Sequence, residues 1–153
     1  MAHENEGEIE SSKRIAAVRI RGLTGIRIKI EDTLRMLRLY KKNYCCVFPN
    51  NPIYVGMLKK AKDYITWGEI DDETFNILVN KRGEEFKGKE TDSRGNIKYN
   101  DYFIINNKKI KKYFRLNSPK KGFERKGIKY HYQSGGALGY RGNTINDLIK
   151  RMI

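Results

Sequence analysis

The chain is poor in the residues from which catalytic and metal centres are usually built. Its 153 residues include two histidines, two cysteines, three prolines and one tryptophan. Cys45 and Cys46 are neighbours inside the apolar stretch Tyr44-Cys45-Cys46-Val47-Phe48, so on a strand their side chains point to opposite faces. They form no disulfide framework, and buried reduced thiols are the expectation. With only His3 and His131 as imidazoles, a four-ligand zinc site has too few well-spaced donors. No apolar run approaches the roughly 18–20 residues that cross a bilayer. The opening MAHENEGEIE is acidic, where a secretory signal is basic and then apolar. A soluble, cytoplasmic protein with no membrane partner is expected.

Acid is scarce where base is abundant. The chain carries a formal charge of +14, an excess that repels itself unless an anionic partner neutralises it. Up to Asn76 there are 13 basic and 11 acidic residues; beyond it there are 19 and 7. Within Lys108–Lys129 ten of 22 residues are basic (Lys108, Lys109, Lys111, Lys112, Arg115, Lys120, Lys121, Arg125, Lys126, Lys129) and one, Glu124, is acidic. A solvated charged face normally mixes both signs. Here Tyr113, Phe114, Phe123, Tyr130 and Tyr132 are interleaved with the cations. Cations neutralise backbone phosphates and rings stack on unpaired bases, so the pattern points to folded RNA. Catalysis on such a substrate needs paired carboxylates, a metal cluster, an activated nucleophile or a cofactor loop. In the second half, where the basic charge lies, seven acids are scattered over 77 residues, Gly135-Gly136-Ala137-Leu138-Gly139 lacks the Gly-Lys-Ser/Thr of a phosphate-binding loop, and two histidines suggest no Ser-His-Asp set. The expectation is a binding protein without catalysis, cofactor, metal or small-molecule substrate.

Length predicts one domain. Residues 1–12, with Glu4, Glu6, Glu8 and Glu10 and little apolar content, are expected to be a disordered tail, leaving a single domain over 13–153. Its core spans 13–83. Arg14–Arg21 alternates, with Ala16, Val18 and Ile20 on one face and Arg19 and Arg21 on an exposed one, as in a half-buried strand. After the Gly22–Gly25 loop, Ile30, Leu34 and Leu37 fall at helical spacing. Tyr44–Phe48 is a buried strand, and Asn51-Pro52 is an N-cap and first-turn proline for a helix with Ile53, Met57, Ala61 and Tyr64 as its apolar stripe. Ile65–Trp67 is a strand ended by Gly68, and Asp71 caps a third helix with Phe75, Leu78 and Val79 inward and Gly83 as its C′ residue. The order is β-α-β-α-β. A polar excursion over 84–113 follows, without regular structure at first and with a short helix expected near Lys108–Tyr113. A basic, glycine-rich loop is expected over 114–142, opening with a short strand at Phe114–Leu116. A terminal helix follows over 143–153, capped by Asn143, with Ile145, Leu148, Ile149 and Met152 inward.

Several separated segments resemble one family. They are Val18-Arg19-Ile20-Arg21-Gly22, Asp32-Thr33-Leu34-Arg35-Met36-Leu37-Arg38-Leu39, Asn43, Gly56-Met57-Leu58, Asp63-Tyr64-Ile65, Trp67-Gly68-Glu69, Arg115-Leu116-Asn117-Ser118-Pro119 and the Gly135–Gly139 run. In order and spacing they are similar to large-subunit ribosomal protein thirty in its longer archaeal form, a family related to eukaryotic large-subunit protein seven. The resemblance implies an α+β fold with a ferredoxin-like core. It implies a non-catalytic constituent of the large ribosomal subunit that binds 23S-type ribosomal RNA, near 5S RNA and neighbouring large-subunit proteins. The segment between Gly83 and Phe114 departs from the pattern, being shorter and richer in lysine than the expected helical insertion. The rival reading is a regulatory RNA-binding module outside the ribosome.

Candidate RNA contacts follow from charge and position. Arg19, Arg21, Arg27 and Lys29 flank Gly22 and Gly25, where backbone can approach phosphate. For Lys59, Lys60 and Lys62 an RNA contact and an ordinary solvated helix face stand side by side, whereas Tyr64 and Trp67 are expected in the core. Lys108, Lys109, Lys111, Lys112 and Arg115 belong to the basic run, and Lys120, Lys121, Arg125, Lys126 and Lys129 to the loop. His131 either stacks or donates to phosphate, or is simply an exposed neutral histidine. Arg141 is a bidentate phosphate donor by type.

Overall fold

The unbroken apolar run Ile15-Ala16-Ala17-Val18 becomes the centre of the molecule. The computed structural model describes residues 14–153; the expected tail over 1–12 lies outside the described residues. In chain order the elements are β1 (Arg14–Arg19), α1 (Ile28–Met36), β2 (Tyr44–Pro49), α2 (Pro52–Lys60), β3 (Ile65–Ile70), α3 (Asp72–Arg82), β4 (Tyr102–Ile105), β5 (Lys108–Lys111), β6 (Tyr113–Arg115), β7 (Gly139–Tyr140) and α4 (Ile145–Met152). Five strands form one sheet in the order β6-β2-β1-β3-β7. β1 pairs antiparallel with β2 and β3, β6 antiparallel with β2, and β7 parallel with β3. The fold is α+β with a ferredoxin-like core.

Both faces of the sheet are covered. Ala16, Val18, Cys45 and Val47 cluster with Leu78 of α3 and Ile145, Leu148 and Ile149 of α4. Ile15, Ala17 and Cys46 cluster with Leu34, Leu37 and Leu58 on the side of α1 and α2. The two cysteines therefore face opposite layers, as their adjacency requires. β1 is buried on both faces, and the expectation of a half-exposed strand fails because two helical layers take both sets of side chains. In α2 the Asn51 side chain accepts from Ile53 N at 3.0 Å, confirming the cap. The buried residue of that helix is Leu58, while Ile53 is 70% exposed and leaves the expected stripe.

Two glycines differ from expectation. Gly68 lies inside β3 instead of ending it; the Gly142 carbonyl sits where its Cβ would be, so that close approach requires glycine. Gly83 follows α3 in extended backbone (φ −63°, ψ 126°), not the left-handed conformation of a C′ glycine. Asp71 does cap α3, accepting from Thr74 N at 2.7 Å.

The helix expected near Lys108–Tyr113 is absent. β4 and β5 form a hairpin whose two-residue turn is Asn106-Asn107, both at positive φ (50° and 63°). Asparagine tolerates that conformation, and such a turn matches the twist of paired strands. Phe86 N donates to Lys109 O at 2.9 Å, so part of the polar excursion lies along β5. In the terminal helix Ile145, Leu148, Ile149 and Met152 are fully buried as expected. Asn143, however, belongs to a 3-10 turn (Gly142–Thr144) rather than capping α4.

Two outcomes are expected from this core. Leu37→Ala should cost about 2–5 kcal/mol, through lost transfer energy and the residual cavity, read as a lower urea midpoint at unchanged slope. Burial pushes the Cys45 thiol up to about 12 and raises Cys46 well above its ordinary value, Cys45 adding to the effect. The thiolate is the reactive form, so a thiol reagent at neutral pH should leave both unlabelled in native protein and label both in denaturant.

Candidate nucleic-acid interface

Strand direction gathers the connections at one end of the sheet. β1 and β6 finish there, and β2, β3 and β7 begin there. Ile20 and Arg21 donate their N–H groups to the Tyr64 carbonyl at 2.9 and 3.1 Å, Asn43 N donates to Arg19 O at 2.8 Å, and Leu116 N donates to Asn43 O at 3.2 Å. Helices α2, α3 and α4 point their C-termini the same way, with basic last turns (Lys59 and Lys60, Lys81 and Arg82, Lys150 and Arg151). Cations there complement the negative end of each helix dipole. The first turns of α3 and α4 carry Asp72, Glu73 and Asp147 instead. Asp72 follows the far end of β3, where Arg14 pairs with it at 3.5 Å.

The segment expected as a basic loop crosses this end as an ordered ribbon. It contains two 3-10 turns, Gly127–Lys129 and Tyr132–Ser134, and then β7. Arg151 donates to the carbonyls of Lys120 and Gly122 at 3.2 and 2.5 Å. Farther along, Leu138 N donates to Tyr130 O at 3.1 Å, and Tyr132 N to Leu138 O at 2.7 Å. Gly136 is packed so closely that a Cβ would run into the Tyr130 carbonyl. Ala137 and Leu138 are buried against Ile20.

Two expected phosphate contacts are corrected. Arg19 is 1% exposed, and its guanidinium donates to the carbonyls of Leu39 at 2.8 Å, Arg21 at 3.0 Å and Gly22 at 3.3 Å. Arg141 has a side chain 1% exposed. It donates from Nε to Thr66 Oγ1 at 2.8 Å, to Ala137 O at 2.9 Å and to Glu124 Oε1 at 3.1 Å, and lies over the Tyr132 ring at 5.0 Å. Burial lowers the pKa of both guanidiniums, opposed by Glu31 at Arg19 and by Glu124 at Arg141. Their donors are committed to the fold, which leaves neither side chain open to phosphate.

The single basic run of the sequence is divided in space. Lys109 pairs with Glu90, Lys111 with Glu84 at 3.2 Å, and Arg115 with Glu84 at 2.5 Å. Partial burial works to raise the Glu84 carboxyl, but the bonds from Arg115 and Lys111 outweigh it and hold the pKa below the usual value. Lys112 donates to Asn100 Oδ1 at 2.8 Å, and Lys108 is exposed beside the hairpin turn. Lys108, Lys109 and Lys111 belong to the hairpin and Arg115 to β6, whereas Lys120, Lys121, Arg125, Lys126 and Lys129 lie on the ribbon and are all exposed. Lys126 also sits over the Tyr130 ring at 5.8 Å.

Around the sheet end, Arg21 lies over the Tyr64 ring at 5.4 Å, and Lys59, Lys60 and Lys62 are exposed where α2 leads into β3. His131 Nε2 approaches Asp63 Oδ1 at 3.5 Å. Arg27 and Lys29 are exposed at the start of α1. Trp67 is buried as expected, and Tyr64 is half-buried. Sequence reasoning missed Tyr140, which is exposed with its hydroxyl on Glu69 at 2.6 and 2.8 Å. An aromatic residue between Gly139 and Arg141 was the available signal. Among the described residues no group of histidine, cysteine, aspartate and glutamate is arranged to hold a metal ion, and no helix is long and apolar enough to cross a membrane.

Comparison with known proteins identifies the family. The family model described as ribosomal protein L30p/L7e matches residues 15–65, from β1 to the first residue of β3. Large ribosomal subunit protein uL30 of Methanopyrus kandleri is 42% identical over 149 residues, covering 88% of this chain and 100% of its own. That of Nanoarchaeum equitans is 44% identical over 151 residues, covering 90% and 97%, and that of Methanococcus maripaludis 43% over 157 residues, covering 90% and 98%. By class, then, the chain is a ribosomal protein of the large subunit. It belongs to the ribosomal protein L30p/L7e family.

The buried arginine and the exposed cations should separate on mutation. Arg141→Ala leaves Glu124 and Thr66 without their partner and should cost on the order of 3 kcal/mol. Lys120→Glu with Lys121→Glu should leave the thermal midpoint almost unchanged, since exposed positions carry little folding energy. Thermal unfolding of the two variants beside the parent protein measures both.

Proposed function

We propose that the chain, as a single RNA-binding domain over residues 13–153, is a structural constituent of the large ribosomal subunit that binds and stabilises 23S-type ribosomal RNA. The observation that carries this reading is the ordered ribbon over the basic sheet end, which holds Lys120, Lys121, Arg125, Lys126 and Lys129 exposed. Arg21, Lys59, Lys60, Lys62 and His131 border it, and Arg27, Lys29, the hairpin lysines Lys108, Lys109 and Lys111, Lys112 just after them and Arg115 of β6 extend the surface. The relatives' name supports the ribosomal setting. In this reading the protein works in the cytoplasm by positioning RNA, without catalysis, and its surroundings include 5S RNA and neighbouring large-subunit proteins.

Binding to ribosomal RNA should be strongly salt-dependent. Six to ten phosphate contacts lose about 10³–10⁵ in affinity between 50 and 200 mM salt. Lys120→Glu with Lys121→Glu should weaken binding and reduce the slope of log affinity against log salt. A flat salt response in the parent protein would overturn the assignment of the interface. Sedimentation of lysate in high salt tests the setting: the protein should travel with large subunits, and a protein found only in lighter complexes would instead be a regulatory RNA-binding module.

A further inference from the structure

Beside the cation cluster, a groove of about 260 Å³ opens between the ribbon and the edge of the sheet. Its size falls below the roughly 300–1,000 Å³ of pockets that enclose drug-sized ligands, which suits one planar ring system. Tyr140 forms one wall. The residue is 48% exposed, yet the hydroxyl bonds both oxygens of Glu69 and the ring leans on Trp67 at a centroid distance of 6.3 Å. A tyrosine fixed in this way offers its face, and little side-chain freedom is lost when something stacks there.

The other groups lining the groove complete a recognisable chemistry. Tyr132 is backed by the Arg141 guanidinium, and His131 is held beside Asp63. Gln133 is exposed and brings an amide with both donors and an acceptor. Lys62 is an exposed cation at the same groove. Aromatic faces, an amide able to pair with a heterocycle edge and a neighbouring cation together fit a planar base attached to a phosphate. We infer that this groove receives a single unstacked nucleobase of RNA, with the base stacked on Tyr140, its edge read by Gln133 and its phosphate met by Lys62. The inference rests on the RNA-binding reading above and adds to it a site for one base.

The chain's only tryptophan, Trp67, lines this groove and reports its occupancy. The probes are two RNA hairpins identical except at a single-nucleotide bulge, which carries adenine in one and an abasic residue in the other. With the full chain, the adenine hairpin should bind about 5- to 150-fold more tightly, the range for stacking one base on an aromatic side chain, and should alone quench Trp67 emission. Tyr140→Ala should abolish the preference and the quenching while the salt slope stays unchanged; Tyr140→Phe, which keeps the ring, should retain most of the preference. Gln133→Ala, a change in an exposed turn, should reduce the preference without altering the unfolding midpoint. Equal, salt-dependent binding of both hairpins with unchanged Trp67 emission would overturn the base site and leave the function proposed above standing. Salt-insensitive binding would overturn both the base site and the interface assigned above.

Discussion

The guanidinium of Arg141 is the fastening on which the basic end of the molecule depends. One side chain joins β3 through Thr66, the ribbon through the Ala137 carbonyl and Glu124, and the Tyr132 ring. Its backbone N–H adds a bond to the Trp67 carbonyl at 2.9 Å. A buried charge is tolerated when its donors are satisfied in this way, and an arginine provides several donors in one plane. The ribbon buries only a small apolar cluster, Ala137 and Leu138 against Ile20, so polar fastening at one point adds to the core beneath it. Arg19 does the same at the end of β1, tying the following loop to the chain after α1.

Charge polarity follows from topology. Because the helices after β2 and β3 run back against the sheet, and α4 begins beside the far end of β3, three helix C-termini arrive where the loops gather. Cations in last turns and acids in first turns are each locally favourable. Repeating that preference in similarly directed helices favours base at the loop end, although Arg14 and Lys150 meet Asp72 and Glu73 at the opposite end. The basic surface is thus partly a by-product of ordinary helix termini, enlarged by the cations of the ribbon. The hairpin lysines contribute less free charge than their number suggests, since Glu84 and Glu90 neutralise part of it.

Where local chemistry decides structure, the sequence was legible. The β-α-β-α-β order, the caps at Asn51 and Asp71, the opposed cysteines and the inward face of α4 each depend on neighbouring residues, and the structure contains them all. The errors share a different cause. Alternation in Arg14–Arg21 marks two faces but does not reveal that helices cover both, so by pattern alone Arg19 falls on an outer face. Arg141 carries the charge of a phosphate ligand, and only Glu124, distant in sequence, shows that it is engaged. The hairpin was obscured because its turn is Asn106-Asn107 rather than a glycine-bearing pair, and because its lysines blur the period of two. Gly68 looked like a strand end; its reason, the Gly142 backbone, arrives from far along the chain. The candidate groove was legible only in part, since Tyr132 and His131 stood out while Tyr140 acquired meaning from Glu69 and Trp67.

The two outer strands of the sheet are very short. β6 has three residues and β7 two, so each margin offers only a brief row of free backbone donors and acceptors. A long, flat margin invites another chain to add as an extra strand, and curtailed edges are one way in which sheet proteins avoid aggregation. The consequence is a sheet on which a second copy of the chain finds little room to add a strand. The chain's like charges keep copies at a distance, and the clipped margins give those that do meet little to pair with.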